Sequence, residues 1–181
     1  TGGGTGLVGI PKAYEELRAM GWISGPLPRF FAVQAEGCAP VVKAFAGGAE
    51  NTTAWETPTT HAAGLRVPSP FAGRQMLRVL RDTRGGAVAV SETAIRDAQR
   101  LVARVEGIWT APESAALVAA LTVLRDRGEV ARDAEMVVPD HVRRPVGGRA
   151  QIARPVEVPA RERLRLERAE DARRPGERPV R

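Results

Sequence analysis

Short, unbroken apolar runs alternate with longer segments of helical period along most of this chain, and that alternation limits what it can fold into. Phe30-Phe31-Ala32-Val33 and Ala87-Val88-Ala89-Val90 lack the polar interruptions of a half-exposed strand. Such runs suit strands buried on both faces. Ahead of the first run, Leu7, Ile10, Tyr14, Leu17 and Arg18 recur at helical spacing, and Gly21 follows as a stop. Ala39 to Phe45 is expected to form a helix ended by Gly47-Gly48, and Glu50 to Arg66 a long polar loop. Ser69 is placed to cap a helix with Pro70 at its first position and Met76, Leu77 and Leu80 inward. Ser91 is placed to cap the next, with Ile95, Ala98, Leu101, Val102 and Val105 on one face. Ile108-Trp109 is a brief extended piece. Pro112 then opens a helix with Leu117, Leu121 and Leu124 inward and Gly128 beyond it, and Met136-Val137-Val138 starts a last strand. The expected class is α/β, a parallel sheet with helices on both faces.

Charge divides the chain at a different place. The net charge is +6. Arg143 to Arg181 holds 12 arginines, no lysine and 6 acids, whereas residues 1–142 balance 15 basic against 15 acidic residues. The basicity therefore belongs to a tail, residues 139–181, which is rich in Arg and Pro and has no aromatic side chain. That composition predicts disorder, with at most a transient helix over residues 160–172. A basic tail can hold acidic surfaces, but acids are mixed in and no aromatic is interleaved for stacking, so nucleic acid is not the expected partner. No apolar run approaches the roughly 20 residues that span a bilayer. The single cysteine, Cys38, excludes an internal disulfide and a Cys-based metal site, and no metal is expected. The chain opens inside a glycine cluster without an initiator Met, and is expected to be truncated there. A cytoplasmic origin is the default expectation.

The glycine cluster carries the first functional signal. Thr1-Gly2-Gly3-Gly4-Thr5-Gly6 leads directly into the first helix, with five glycines in nine residues. Glycines let the backbone turn with positive φ and approach a ligand closely. The free N–H groups of a helix start, with the positive end of its dipole, favour a phosphate. Gly4-x-Gly6-x-x-Gly9 also matches a dinucleotide fingerprint, with Glu36 as the candidate ribose acid. Glu36 follows Gly9 by 27 residues, late for a role usually filled after about 20. From these residues alone a dinucleotide, a small phosphorylated cofactor and an empty turn all stand.

The ordered motifs resemble one family. Gly2-Gly3-Gly4-Thr5-Gly6-Leu7-Val8-Gly9 followed by Lys12-Ala13-Tyr14-Glu15-Glu16-Leu17 resembles the phosphate loop and helix of threonine synthases. Val33-Gln34-Ala35-Glu36-Gly37-Cys38-Ala39-Pro40 resembles that family's strand-to-helix junction. Thr59-Thr60-His61-Ala62-Ala63-Gly64-Leu65-Arg66-Val67-Pro68 resembles its active-site loop. Ala87 to Ser91 and Glu106 to Ala116 continue the likeness in order, over residues 1–138. The resemblance implies a partial fold type II enzyme with pyridoxal 5′-phosphate as cofactor. It implies a lyase of threonine biosynthesis that turns O-phosphohomoserine and water into threonine and phosphate, and a homodimeric parent. Gly2, Gly3, Gly4, Thr5 and Gly6 would hold the cofactor's phosphate. The related threonine and serine dehydratases share these motifs and are the alternative enzyme. A non-catalytic remnant or a nucleotide-binding module is the alternative of another class.

Two departures accompany the likeness. The family's Schiff-base lysine precedes the glycine loop, and the only lysines here are Lys12 and Lys43, both on expected helices. No catalytic residue is therefore assigned. The family's last strand leads to a Ser/Thr-Gly segment, where this chain has Pro139-Asp140-His141-Val142-Arg143-Arg144. One codon choice for Asp140 to Arg144, shifted by one base, reads Thr-Thr-Ser-Gly, so an out-of-frame tail beyond residue 138 is expected.

Other side chains admit two readings each. Arg66 is the candidate for a substrate phosphate, because a guanidinium offers a planar fork; the alternative is a structural ion pair. His61 could approach the same phosphate or be an ordinary loop residue. Glu106 could face the cofactor or end its helix in solvent. Cys38 reads as a small buried residue at a helix start rather than a nucleophile. Trp22, Trp55 and Trp109 read as core or loop contacts.

Overall fold

The computed structural model describes residues 1–131 and 133–137. The chain divides into two units, Thr1–Ala150 and Gln151–Arg181, and every described residue belongs to the first. The expectations for the tail, including its disorder and its altered frame, lie outside the described residues.

The element order is α1 (Thr5–Ala19), β1 (Phe31–Ala35), α2 (Pro40–Ala46), a 3-10 turn (Ala63–Leu65), α3 (Gly73–Asp82), β2 (Gly86–Val90), α4 (Glu92–Glu106) and α5 (Pro112–Asp126). The two apolar runs pair in parallel, from Phe31 opposite Gly86 to Ala35 opposite Val90. The crossover between them carries α2 and α3. Side chains alternate across a strand. Val33, Ala35, Val88 and Val90 therefore face one cluster with Ile95, Ala98, Ala115, Ala116, Ala120 and Leu124 of α4 and α5. Ala32 faces a second cluster with Leu7, Val41, Ala44, Met76, Leu77 and Leu80 of α1, α2 and α3. The sheet is covered on both sides, as the unbroken runs require.

Local chemistry sets several helix ends. Ser91 caps α4, its hydroxyl accepting from the Ala94 amide at 3.1 Å. Gly107 closes the same helix at φ 68°, a conformation glycine adopts without a Cβ penalty. The expected Ser69 cap does not form. α3 starts at Gly73, behind a turn in which the Gly73 amide donates to the Pro70 carbonyl at 3.3 Å. The Ala72 amide is drawn to the Gly3 carbonyl at 3.3 Å, so a tertiary contact delays the helix.

α1 forms where the helical spacing places it, with only Leu7 and Pro11 buried and Ile10 and Tyr14 41% and 37% exposed, because only its first turns reach the core. Three further expectations need correction. On α5 the buried positions are Ser114, Ala115, Ala116, Ala120 and Leu124, with Leu117 and Leu121 only partly buried. Small side chains let this helix lie close to the strands, and the leucines flank the seam. Met136 and Val137 form no strand; Met136 packs partly on the first cluster and Val137 is exposed. Trp22 and Trp109 are 74% and 68% exposed, whereas Trp55 is half-buried and donates its backbone N–H to the Pro68 carbonyl at 2.9 Å.

The α5 seam is testable by size. Ala116→Leu should destabilise by about 1–3 kcal/mol through overpacking. Leu80→Ala, which empties a fully buried position, should cost about 2–5 kcal/mol. Urea unfolding checks both. An Ala116→Leu protein as stable as the parent would place the alanine face outside the core.

Candidate functional site

The carboxyl ends of parallel strands are where open α/β sheets bind ligands. Here that edge gathers the glycine loop, the junction after β1, the 59–67 loop and the start of α4.

The glycine loop is tight on one side and open on the other. Gly4 is the N-cap of α1 at φ 107°, and no side chain caps the first turn. A Cβ on Gly2 would stand 2.5 Å from the Gly64 carbonyl oxygen, and one on Gly3 2.8 Å from the Phe71 ring. On Gly4 it would stand 2.8 Å from the Met76 sulfur. Packing alone requires glycine at Gly2, against backbone, and at Gly4, against the buried Met76 and Ala72; at Gly3 the neighbour is the exposed ring of Phe71. Gly6 and Gly9 differ: a Cβ there meets nothing within 4 Å, so the fold does not demand glycine at either. Thr5 and Gly6 are exposed and only Gly4 is buried in the loop. The first turn of α1 therefore presents uncapped amides beside a residue with no side chain, an arrangement that fits a phosphate.

The loop is anchored to β1. The Thr1 nitrogen donates to the Val33 carbonyl, and the Gln34 side-chain amide donates to the Thr1 carbonyl at 3.3 Å. At the junction, the Glu36 amide continues the strand pairing to the Val90 carbonyl at 3.0 Å, leaving its carboxylate exposed. A Cβ on Gly37 would lie 1.9 Å from the Thr59 carbonyl oxygen, so this glycine admits the 59–67 loop. Cys38 is fully buried, and burial pushes its thiol pKa up against the opposing pull of the Val67 backbone and the Arg66 charge. A neutral buried thiol is a structural residue rather than a nucleophile.

The 59–67 loop spans the edge. The Thr59 amide donates to the Gly37 carbonyl at 3.0 Å. Both the backbone amide and Nδ1 of His61 meet Oε2 of Glu92, the first residue of α4. The Gly64 amide donates to Oε1 of Glu113 on α5 at 2.7 Å. Val67 then packs against Gly2. Arg66 is exposed and adjoins Val67, which brings it to the same edge as the glycine loop. A cleft of about 510 Å³ opens between residues 36–37, 59–61 and 91–96. His61 lines it; Arg66 and Gly2, Gly3, Gly4, Thr5 and Gly6 do not.

Other candidates lie elsewhere. Lys12 is exposed and paired with Glu16, whose hydrogen bond and charge raise its pKa; Lys43 is exposed on α2. Glu106 is exposed at the far end of α4 from Glu92, about 21 Å along the axis. Sequence reasoning passed over Glu92, Glu113 and the role of Gln34. A glutamine inside an apolar strand was the available signal for the last; the two glutamates read as ordinary first-turn acids.

With this geometry in place, the sequence comparisons assign the class. A family model of pyridoxal-phosphate dependent enzymes matches residues 1–139, and the chain belongs to that family. Pyridoxal 5′-phosphate is the family's cofactor. Among its relatives, the threonine synthase of Methanosarcina acetivorans is 38% identical over 131 residues, covering 72% of this chain and 32% of that protein. That of Methanocaldococcus jannaschii is 34% identical over 128 residues, covering 71% and 31%. The threonine synthase of Mycobacterium tuberculosis is 35% identical over 126 residues, covering 70% and 32%. The chain thus spans about a third of the length of these relatives. A solved threonine deaminase from T.th. superposes with a TM-score of 0.54 at 26% identity, over 70% of this chain and 43% of that one. Maize serine racemase shares the fold, with a TM-score of 0.52 at 24% identity over 71% and 37%.

The Glu92 clasp has a pH signature. Burial raises the Glu92 pKa, but hydrogen bonds from Thr60 and His61 and the His61 charge outweigh it, leaving the carboxyl below its ordinary 4.5. A lowered carboxylate pKa contributes stability that is complete above the unfolded value and is lost as pH falls through the folded one. Glu92→Gln should therefore lose less stability than the parent on acidification below pH 4.5. The difference should stay within about 1 kcal/mol for a pair open to solvent on one side, its side chains 30% and 32% exposed. Parallel urea titrations from neutral to acidic pH measure it, and identical acid profiles would dissolve the clasp.

Proposed function

We propose that this chain carries the cofactor-phosphate portion of a threonine synthase. The reaction in view converts O-phosphohomoserine and water into threonine and phosphate. Its supporting observation is the open first turn of α1, where Gly6 is glycine although a side chain would meet nothing of the protein. Closeness to the threonine synthases, at 34–38% identity for those of Methanosarcina acetivorans and Methanocaldococcus jannaschii, favours that reaction within the family.

The cofactor, when bound, supplies an electron sink for an amino acid that loses a proton. The chain's own residues do the rest of what is proposed for it. The amides following Gly4, with the Thr5 hydroxyl, bind the cofactor's phosphate, and Gly2 and Gly3 bring the backbone close. Arg66 meets the phosphate of the substrate as a bidentate fork. Lys12 and Lys43 stay in solvent, so no lysine of this chain anchors the cofactor. We place the protein in the cytoplasm and its parent as a homodimer. A threonine or serine dehydratase is the second reading, favoured by the superposition on threonine deaminase; it needs no site for a substrate phosphate.

Gly6 separates binding from folding. Gly6→Val should leave the melting temperature unchanged or higher, since glycine is the poorer helix former by a fraction of about 1 kcal/mol. It should weaken binding of pyridoxamine 5′-phosphate about tenfold or more, measured by equilibrium dialysis. Unchanged binding would remove the phosphate from this loop. In the parent chain, borohydride treatment with pyridoxal 5′-phosphate should leave no cofactor attached to Lys12 or Lys43 by mass spectrometry. With the coding sequence that adjoins it at its locus, phosphate release from O-phosphohomoserine identifies the synthase; ammonia release from threonine identifies the dehydratase.

A further inference from the structure

Gln34 is the one fully buried polar side chain among the described residues with none of its surface exposed. It occupies the fourth of five positions in β1, on the face with Ala32. Its Oε1 accepts from the Val41 amide at 2.9 Å and the Val42 amide at 3.2 Å. These belong to the first turn of α2, whose N-cap Ala39 offers no side-chain acceptor. That double acceptance orients the amide group, because only the oxygen can receive two N–H donors. Nε2 is thereby turned to the Thr1 carbonyl, 3.3 Å away. The Thr1 nitrogen is already bonded to Val33, so β1 holds Thr1 at both its nitrogen and its carbonyl.

We propose that Gln34 is the positioning residue of the phosphate loop, setting the depth at which residues 1–4 leave the sheet. The proposal rests on the reading of this loop as the cofactor's phosphate site. Three successive glycines follow Thr1, and glycine loses more backbone freedom on ordering than any other residue. A loop left free to sample would charge that ordering to the binding step. Gln34 orders its first residue beforehand, and through Oε1 ties it to the start of α2. Packing of Gly2, Gly3 and Gly4 against residues 64–76 then carries the geometry to the open amides of α1.

Gln34→Glu separates the two ends of the side chain. The introduced carboxylate still accepts from Val41 and Val42, but it can no longer donate to the Thr1 carbonyl and faces it with like partial charge. Burial and the facing Thr1 carbonyl raise the pKa of such a carboxyl, against the lowering pull of the Val41 and Val42 amides. Once protonated, its O–H donates to Thr1 again. With the whole 181-residue chain, the variant should bind pyridoxamine 5′-phosphate about tenfold more weakly than the parent near pH 8. The gap should close as both are taken from pH 8 towards pH 5, a range in which the Thr1 amine, lowered to about 5 by burial, is largely uncharged and forms no ion pair with the carboxylate. Equal affinity near pH 8, or a gap that does not change with pH, overturns the proposal, since general damage to the core has no reason to titrate. If the variant does not fold, the parent decides by NMR. Titration with pyridoxamine 5′-phosphate should shift the Gln34 side-chain amide resonance together with the amides of Gly2 to Gly6. Loop amides that shift while Gln34 stays still overturn the positioning role alone. Loop amides that do not shift at all overturn the cofactor reading, and this role with it.

Discussion

No side chain fits between the glycine loop and the segment that runs from Gly64 to Met76, and the rest of the site depends on that close approach. A Cβ on Gly2, Gly3 or Gly4 would stand 2.5–2.8 Å from its neighbour. Backbone therefore meets backbone and side chain directly, and the start of α1 is set at a fixed height over the sheet edge. The approach also displaces the start of α3, because Ala72 gives its amide to Gly3. Proteins place glycine where the chain must come this close. Two elements far apart in sequence are joined here by the absence of atoms.

The 59–67 loop transmits that constraint across the edge. It touches the β1 junction at Gly37, α4 at Glu92, α5 at Glu113 and the glycine loop through Val67. The contacts to Gly37, Glu92 and Glu113 use backbone groups of the loop, and His61 adds its ring to the Glu92 contact, while Val67 meets Gly2 through its side chain. Arg66 stays exposed at the mouth of the site. Two of the anchors are carboxylates in the first turns of helices, where the dipole favours negative charge. One residue type thus serves both helix and loop.

Much of this was legible. The parallel pair, the order of helices, the Ser91 cap and the glycine stop of α4 follow from period, capping chemistry and positive φ. The buried thiol of Cys38 followed from its position at a helix start. Where reading failed, a tertiary contact had overridden a local preference. Ser69 lost its cap to the pull of Gly3 on Ala72. Leu117 and Leu121 yielded the seam of α5 to alanines, because closeness to the strands outweighed side-chain size. Ile10 and Tyr14 keep helical spacing, yet the core beneath α1 ends before it reaches them. The exposed Trp22 and Trp109 show that aromatic identity alone does not establish burial.

Sequence by itself determined the class of the fold, the family and the glycine loop proposed to hold a phosphate. Those depend on runs of neighbouring residues: apolar period, glycine freedom and an ordered set of local motifs. Tertiary structure alone decided which glycines meet a close neighbour and which face open space, and that Gln34, Glu92 and Glu113 tie the loops to the sheet edge. Such roles depend on distances between residues tens of positions apart, as from Thr1 to Gln34 or from Gly64 to Glu113. Period and composition carry no record of those distances; they exist only once the chain has closed on itself.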